Sequence, residues 1–233
     1  MKKSAKNLTF SIVFAILFII FSITIGISFI LFFRSFFYSQ INYLYLPYYT
    51  GYNYLELKES YDVLMNFLLF NDPFSEGVFK YSEEGKAHFV DCQPLFLLNN
   101  ILFIVSSIGL CSLTFLRKKG VYQTTKFKGL SITSWSVLVT YLFLIVIVIA
   151  CAIDFYEAFR IFHMIFFPGK TNFVLNSETD PIINMFQEAF FINCALLIGI
   201  VFIVLTLIPL IKDFIDIKRN KKLKKQNSQI TNN

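Results

Sequence analysis

Four stretches of almost unbroken apolar residues, 8–33, 95–116, 132–153 and 190–211, divide this chain. Crossing the hydrocarbon core of a bilayer takes roughly 20 helical residues, and each stretch is long enough. The pattern predicts an all-α integral membrane protein, one membrane domain over residues 1–233, with four transmembrane helices. The first stretch is too long for the apolar segment of a cleaved leader, and ILFFRSFFYSQ lacks small residues suited to cleavage, so it is expected to stay as a helix. Two long polar intervals, 34–94 and 154–189, alternate with a short basic link and a tail, 212–233. The polar end of that tail, NSQITNN, reads as disordered.

The long intervals are not featureless. The first is rich in tyrosine (Tyr38, Tyr43, Tyr45, Tyr48, Tyr49, Tyr52, Tyr54), a residue that favours the headgroup region, so it is expected to lie along the membrane surface. Within it, Leu57, Tyr61, Leu64, Met65 and Leu68 recur at helical spacing, and Asn71-Asp72-Pro73 stops the pattern. Residues 81–91 read as a polar helical lead-in to the second span, with Pro94 at its first turn or at a kink. In the second interval, Phe155, Phe159, Phe162 and Phe166 fall in a narrow arc of a helix. His163 lies at the edge of that arc, with Arg160, Glu157 and Asp154 progressively further round. An imidazole is thereby predicted where an apolar face meets a polar one.

Charge sets the orientation. Of 21 Lys and Arg, 15 lie in the N-terminus, the short link and the tail, while 13 of the 15 acids lie in the two long intervals. Positive charge favours the inner side, so both termini are expected in the cytoplasm and both long loops, with their interfacial helices, outside. The net charge of +6 then reflects orientation and contact with anionic lipid, and no nucleic-acid partner is implied. A 56% hydrophobic composition and a mean hydropathy of +0.62 agree with a polytopic protein. Cys92, Cys111, Cys151 and Cys194 stand singly, as small apolar residues rather than disulfide partners or metal ligands. No internal repeat suggests an inverted-repeat transporter.

Candidate chemistry concentrates on the only two histidines, His88 and His163, both assigned to the outer face. His88 and Asp91 are three apart, so on a helix the carboxylate could fix the imidazole tautomer. Asn99 lies three turns on from His88, inside the second span, either facing a cavity or stapling two helices. Imidazole suits proton transfer near neutrality. Metal binding has no H-x-x-x-H or H-E-x-x-H to support it, no cofactor motif is present, and Gly169-Lys170-Thr171 fails as a phosphate loop because Met164 replaces the first glycine. There is no G-x-S-x-G elbow.

At YDVLMNFLLFNDPF, AHFVDCQPLF and DFYEAFRIFHMIFFPGKTNFVLNSETDPIINMFQEAFF the chain resembles the bacterial lipoprotein intramolecular transacylase family, Lit, four-span proteins of Gram-positive bacteria. The family's H-x-x-D element falls on His88 and Asp91. Its F-H-x-x-F-F element, with D-F upstream and t-D-x-i-i downstream, falls on Phe162 to Phe167, Asp154, Phe155 and Asp180. The sequence departs from the family at Phe173, where a Trp is expected, and at Ser177 and Gln187, where prolines are expected. The resemblance implies an acyltransferase of the bacterial plasma membrane, active on its outer face without a cofactor. It would move the sn-2 acyl chain of a diacylglyceryl lipoprotein to the α-amine of that protein's N-terminal cysteine, giving a lyso-form product. His88 and His163 are then the expected catalytic pair, with Asp91, Asp154, Arg160 and Asn99 in support. The competing readings are a non-enzymatic four-span accessory or transport protein, and another hydrolase or acyltransferase acting on lipid esters.

Overall fold

The computed structural model describes residues 2–230, with side chains over 4–227. Its regular structure among the described residues is helical but for one short hairpin. In chain order the helices are α1 (Lys2–Phe32), α2 (Ser35–Tyr43), α3 (Leu46–Thr50), α4 (Tyr54–Phe70), α5 (Glu83–Lys118), α6 (Ile132–Ile153), α7 (Phe155–Phe166) and α8 (Glu188–Ile230). A two-stranded antiparallel hairpin, β1 (Lys126–Phe127) and β2 (Leu130–Ser131), precedes α6, and a one-turn 3-10 helix (Pro181–Asn184) lies between α7 and α8. Four helices, α1, α5, α6 and α8, are long and apolar enough to cross a membrane. They carry the four predicted spans; on α6, Val139, Leu142, Phe143 and Val148 stay uncovered by protein, as a lipid-facing surface requires. Helix α8 does not stop at the fourth span but runs on to Ile230, so the start of the tail's polar end is helical; residues 231–233 lie outside the described part.

Contacts group the chain into two compact units. The first takes residues 1–23, 103–145 and 200–233; the second takes 24–102 and 146–199. In the first, the basic link folds as the hairpin because α8 supplies a buried acid. Asp213 accepts from the Ser131 backbone N–H at 2.7 Å and the Ser134 hydroxyl at 2.6 Å, and pairs with Lys126 at 2.9 Å.

The second unit holds the main hydrophobic core, where Phe37 and Ile41 of α2, Leu46 of α3, and Leu57, Tyr61, Leu64 and Leu68 of α4 pack with Ile182, Met185 and Phe190. The tyrosine-rich interval is therefore a packed layer as well as a surface one. Its exposed tyrosines are Tyr43, Tyr45, Tyr48 and Tyr49, while the Tyr61 ring stacks on Phe37 at 3.8 Å. Helix α4 begins with a reciprocal cap: the Asn53 side chain accepts from the Leu55 and Glu56 N–H groups, and Glu56 accepts from the Asn53 N–H. Arg34 then ties the start of α2 to α4 through Asp62 at 3.0 Å and Asn66 at 2.6 Å.

Candidate active site

Helix α7 starts at Asp154, whose side chain accepts from the Glu157 N–H at 2.9 Å and so caps the first turn. One face of this helix carries the phenylalanine arc, and His163 sits among those rings, only 6% exposed. It lies inside the protein rather than at a boundary with water. Phe159 approaches it at 4.2 Å, Phe173 stacks on it at 4.8 Å and 25°, and Phe167 lies at 5.8 Å. Its Nδ1 is 2.8 Å from the carbonyl oxygen of Phe159. A carbonyl can only accept, so Nδ1 carries the hydrogen and Nε2 keeps its lone pair. Burial pushes the imidazole below its ordinary value near 6.5, and the Phe159 bond opposes that only in part.

His88 projects from the polar lead-in of α5, seven residues short of the apolar stretch that begins at Leu95. Its ring faces that of His163 at 5.7 Å and 42°. Phe167 meets it edge-on at 5.5 Å. Among the described residues the polar atom closest to hydrogen-bond range is Cys92 Sγ, 3.6 Å from Nε2. Burial, reinforced by the adjacent His163, lowers His88 to about 4, against a pull from Asp91 in the other direction. Both imidazoles are therefore neutral near pH 7.

The supporting residues expected from the sequence fall elsewhere. Asp91 does not orient His88: among the described residues its carboxylate is taken by Lys170 and, at 2.9 Å, by the Asn172 amide. These bonds pin residues 167–173 to α5, and that strap is what sets Phe167 and Phe173 against the two imidazoles. Its tip turns at Gly169, whose φ of +76° suits glycine. Arg160 points to Glu157 in a fork with bonds of 2.8 and 2.6 Å on the exposed side of α7. Asn99 donates to the Ser28 hydroxyl of α1 at 2.9 Å, the staple rather than the cavity. Asp154 is a cap.

Residues that spacing did not single out complete the site. Asp180, buried just before the 3-10 helix, accepts from the Ser82 backbone N–H at 2.7 Å and from its hydroxyl at 2.9 Å. Ser82 is the residue before α5, so this carboxylate fixes the start of the helix that carries His88. Gly85 makes room for it: a Cβ there would lie 2.0 Å from Asp180 Oδ1. Glu76 is fully buried nearby in the chain, with neither carboxyl oxygen hydrogen-bonded. Burial first, and then Asp180, pushes it up to about 8. Beside the strap lies an open cleft of about 380 Å³ bordered by Lys86, Ala87, Val90, Asp91 and Lys170.

The fold and this enclosed imidazole pair describe a four-span membrane protein whose only two histidines share one site. The family model for "Lipoprotein intramolecular transacylase Lit" matches residues 12–191, and the chain belongs to that family of membrane enzymes. Solved structures agree on the fold. One of the Lit from Bacillus cereus is similar with a TM-score of 0.76 at 21% identity, covering 94% of this chain and 99% of that one. Two more of the same protein, each with one histidine replaced, by alanine or by arginine, are similar with TM-scores of 0.71 and 0.70 at 19% identity. They cover 94% of this chain and 97% and 95% of theirs. No curated protein sequence matches significantly.

Proposed function

We propose that the enzyme transfers the sn-2 acyl chain of a diacylglyceryl lipoprotein to the α-amine of the same molecule's N-terminal cysteine, using His163 and His88 for proton transfer. One observation carries the reading: two neutral imidazoles face each other at 5.7 Å, and the Phe159 carbonyl fixes the free nitrogen of one of them. Ester and amine belong to one substrate, so holding them in a near-attack arrangement supplies much of the rate. The amine nitrogen attacks the ester carbonyl carbon, and His163 Nε2 takes the proton that the nitrogen loses. The bond from that carbon to the glycerol oxygen then breaks, and the proton taken by His163 passes through His88 to that oxygen, leaving a hydroxyl there. Both imidazoles end neutral, as they began. No acyl donor, cofactor or metal enters this balance.

The phenylalanine rings exclude water, which would otherwise compete for the ester. Asp154, Arg160 and Asn99 act by holding α7 and the spans in place, and Asp91 by holding the strap. The distribution of charge supports a bacterial plasma membrane location with both termini in the cytoplasm and the histidine pair on the outer side. The test is mass spectrometry of a lipoprotein's N-terminal peptide from a host that makes only diacylglyceryl lipoproteins. With this protein, fragmentation should place one acyl group on the α-amine and leave a single ester on the glycerol. His163→Ala and His88→Ala should abolish that product at unchanged protein level. N-acylation by either stable variant, or a free amine with both esters intact beside the wild-type enzyme, would overturn the reading.

A further inference from the structure

A second cavity, of about 320 Å³, lies wholly within the other unit, lined by parts of α1, α5, the hairpin and α8. One wall is apolar: Phe14 and Phe18 of α1, Ile208 and Pro209 of α8. The lining also holds three cations, Arg117, Lys126 and Lys212, and two acids, Asp213 and Asp216. Lys126 bonds both acids, Asp213 at 2.9 Å and Asp216 at 2.8 Å. The three cations outnumber the two acids by one charge, and Arg117 and Lys212 are the two that bond neither acid, Lys212 acting on Asp216 only through space. Arg117 is half-buried, lies over the Phe14 ring with its guanidinium carbon 5.4 Å from the centroid, and makes no hydrogen bond or ion pair among the described residues. Lys212 likewise has neither.

A half-buried guanidinium with five unspent donors is costly unless something accepts from it. The complement is an anion with several oxygens, and the planar fork of Arg suits phosphate. The apolar wall narrows the choice. It continues onto a helix face that protein leaves bare, with Ile208 itself 60% exposed, which is where acyl chains would run. We propose that this cavity binds the phosphodiester headgroup of an anionic phospholipid, held by Arg117 and Lys212, with its chains along Phe14, Phe18 and Ile208. The site stands apart from the histidine pair and does not depend on the transacylase reading.

The test uses the full-length enzyme taken from nanodiscs of phosphatidylcholine with 30% phosphatidylglycerol, chosen as a single-charge phosphodiester probe, and native mass spectrometry of the lipid that stays bound. Each basic group near an anionic membrane surface contributes about a fivefold preference, so the Arg117→Gln/Lys212→Gln pair should retain phosphatidylglycerol roughly thirtyfold more weakly. The Lys218→Gln/Arg219→Gln pair, which removes the same charge from α8 outside the cavity lining, should retain it as the wild type does. Equal loss in both pairs would mean unspecific attraction, and equal retention of phosphatidylcholine would mean an apolar slot; either overturns the proposal. Displacement of the lipid by millimolar inorganic phosphate would assign the cavity to the free ion instead and also overturn it.

Discussion

Glu76 is the most exposed point of the structure to a quantitative test. It is 1% accessible, neither carboxyl oxygen has a partner among the described residues, and Asp180 holds a negative charge in the same unit. In the folded protein it is pushed from 4.5 up to about 8. Between those values the folded chain keeps a proton that the unfolded chain has released, so stability falls as pH rises from about 4.5 to about 8. Each pH step is worth about 1.4 kcal/mol, and the whole interval amounts to roughly 5 kcal/mol. Glu76→Gln keeps the shape of the neutral acid and removes the titration. For a chain of this size about 1 kcal/mol moves the midpoint by 2–4 °C, so thermal unfolding should coincide for the two proteins at pH 5 and diverge by roughly 10 °C at pH 9, the variant being the more stable. Parallel midpoints across that pH range would refute the reasoning, because they would mean that Glu76 finds a hydrogen-bond donor or water.

Other outcomes follow from the same geometry. Asp91→Asn keeps the volume but loses the Lys170 pair and loosens the strap, so kcat should drop about tenfold or more while protein level and the midpoint set by His163 hold; a shifted midpoint would instead tie Asp91 to His163. With His163 as the base, kcat/KM should fall on the acid side with a midpoint below the ordinary imidazole value of about 6.5, measured by N-acylation of a lipopeptide, and a midpoint above it would contradict the buried, neutral ring. Gly85→Ala drives a methyl into Asp180 and displaces the start of α5, so it should cost about 1–3 kcal/mol in thermal unfolding and lower activity together; wild-type behaviour would show that the carboxylate can move.

The spans were legible because roughly 20 apolar residues have few other uses, and α6 begins and ends where the pattern predicted. The two histidines stood out through scarcity and the arc of phenylalanines, but their approach to 5.7 Å was not to be had from spacing. Nor were the neighbours of the pair. Asp91 meets Lys170 across 79 positions, and Ser82 meets Asp180 across 98, and helical spacing says nothing about partners at that range. Spacing even misled at Asp91, which shares a face with His88 but turns to a cation on another segment, because a full charge on Lys170 outbids a neutral ring. Phe173 stands where the family pattern expects Trp and still stacks on His163, so an aromatic platform is kept with a smaller ring. Gly85 and Glu76 carried no signal at all in one sequence, since their roles rest on what folds against them.

The acceptor that fixes the His163 tautomer is the carbonyl of Phe159, one turn earlier on the same helix. Many buried imidazoles are held by a carboxylate reaching in from a distant segment, which also raises their basicity. Here the orienting group travels with the base. The helix could tilt or slide when a two-chained substrate enters, and the ring would keep the same nitrogen free throughout. It would keep its weak basicity as well, because no opposing charge follows it to stabilise the protonated form. A proton caught by such a group is easily given up again, which suits the proposed transfer, in which the enzyme begins and ends with the same number of protons.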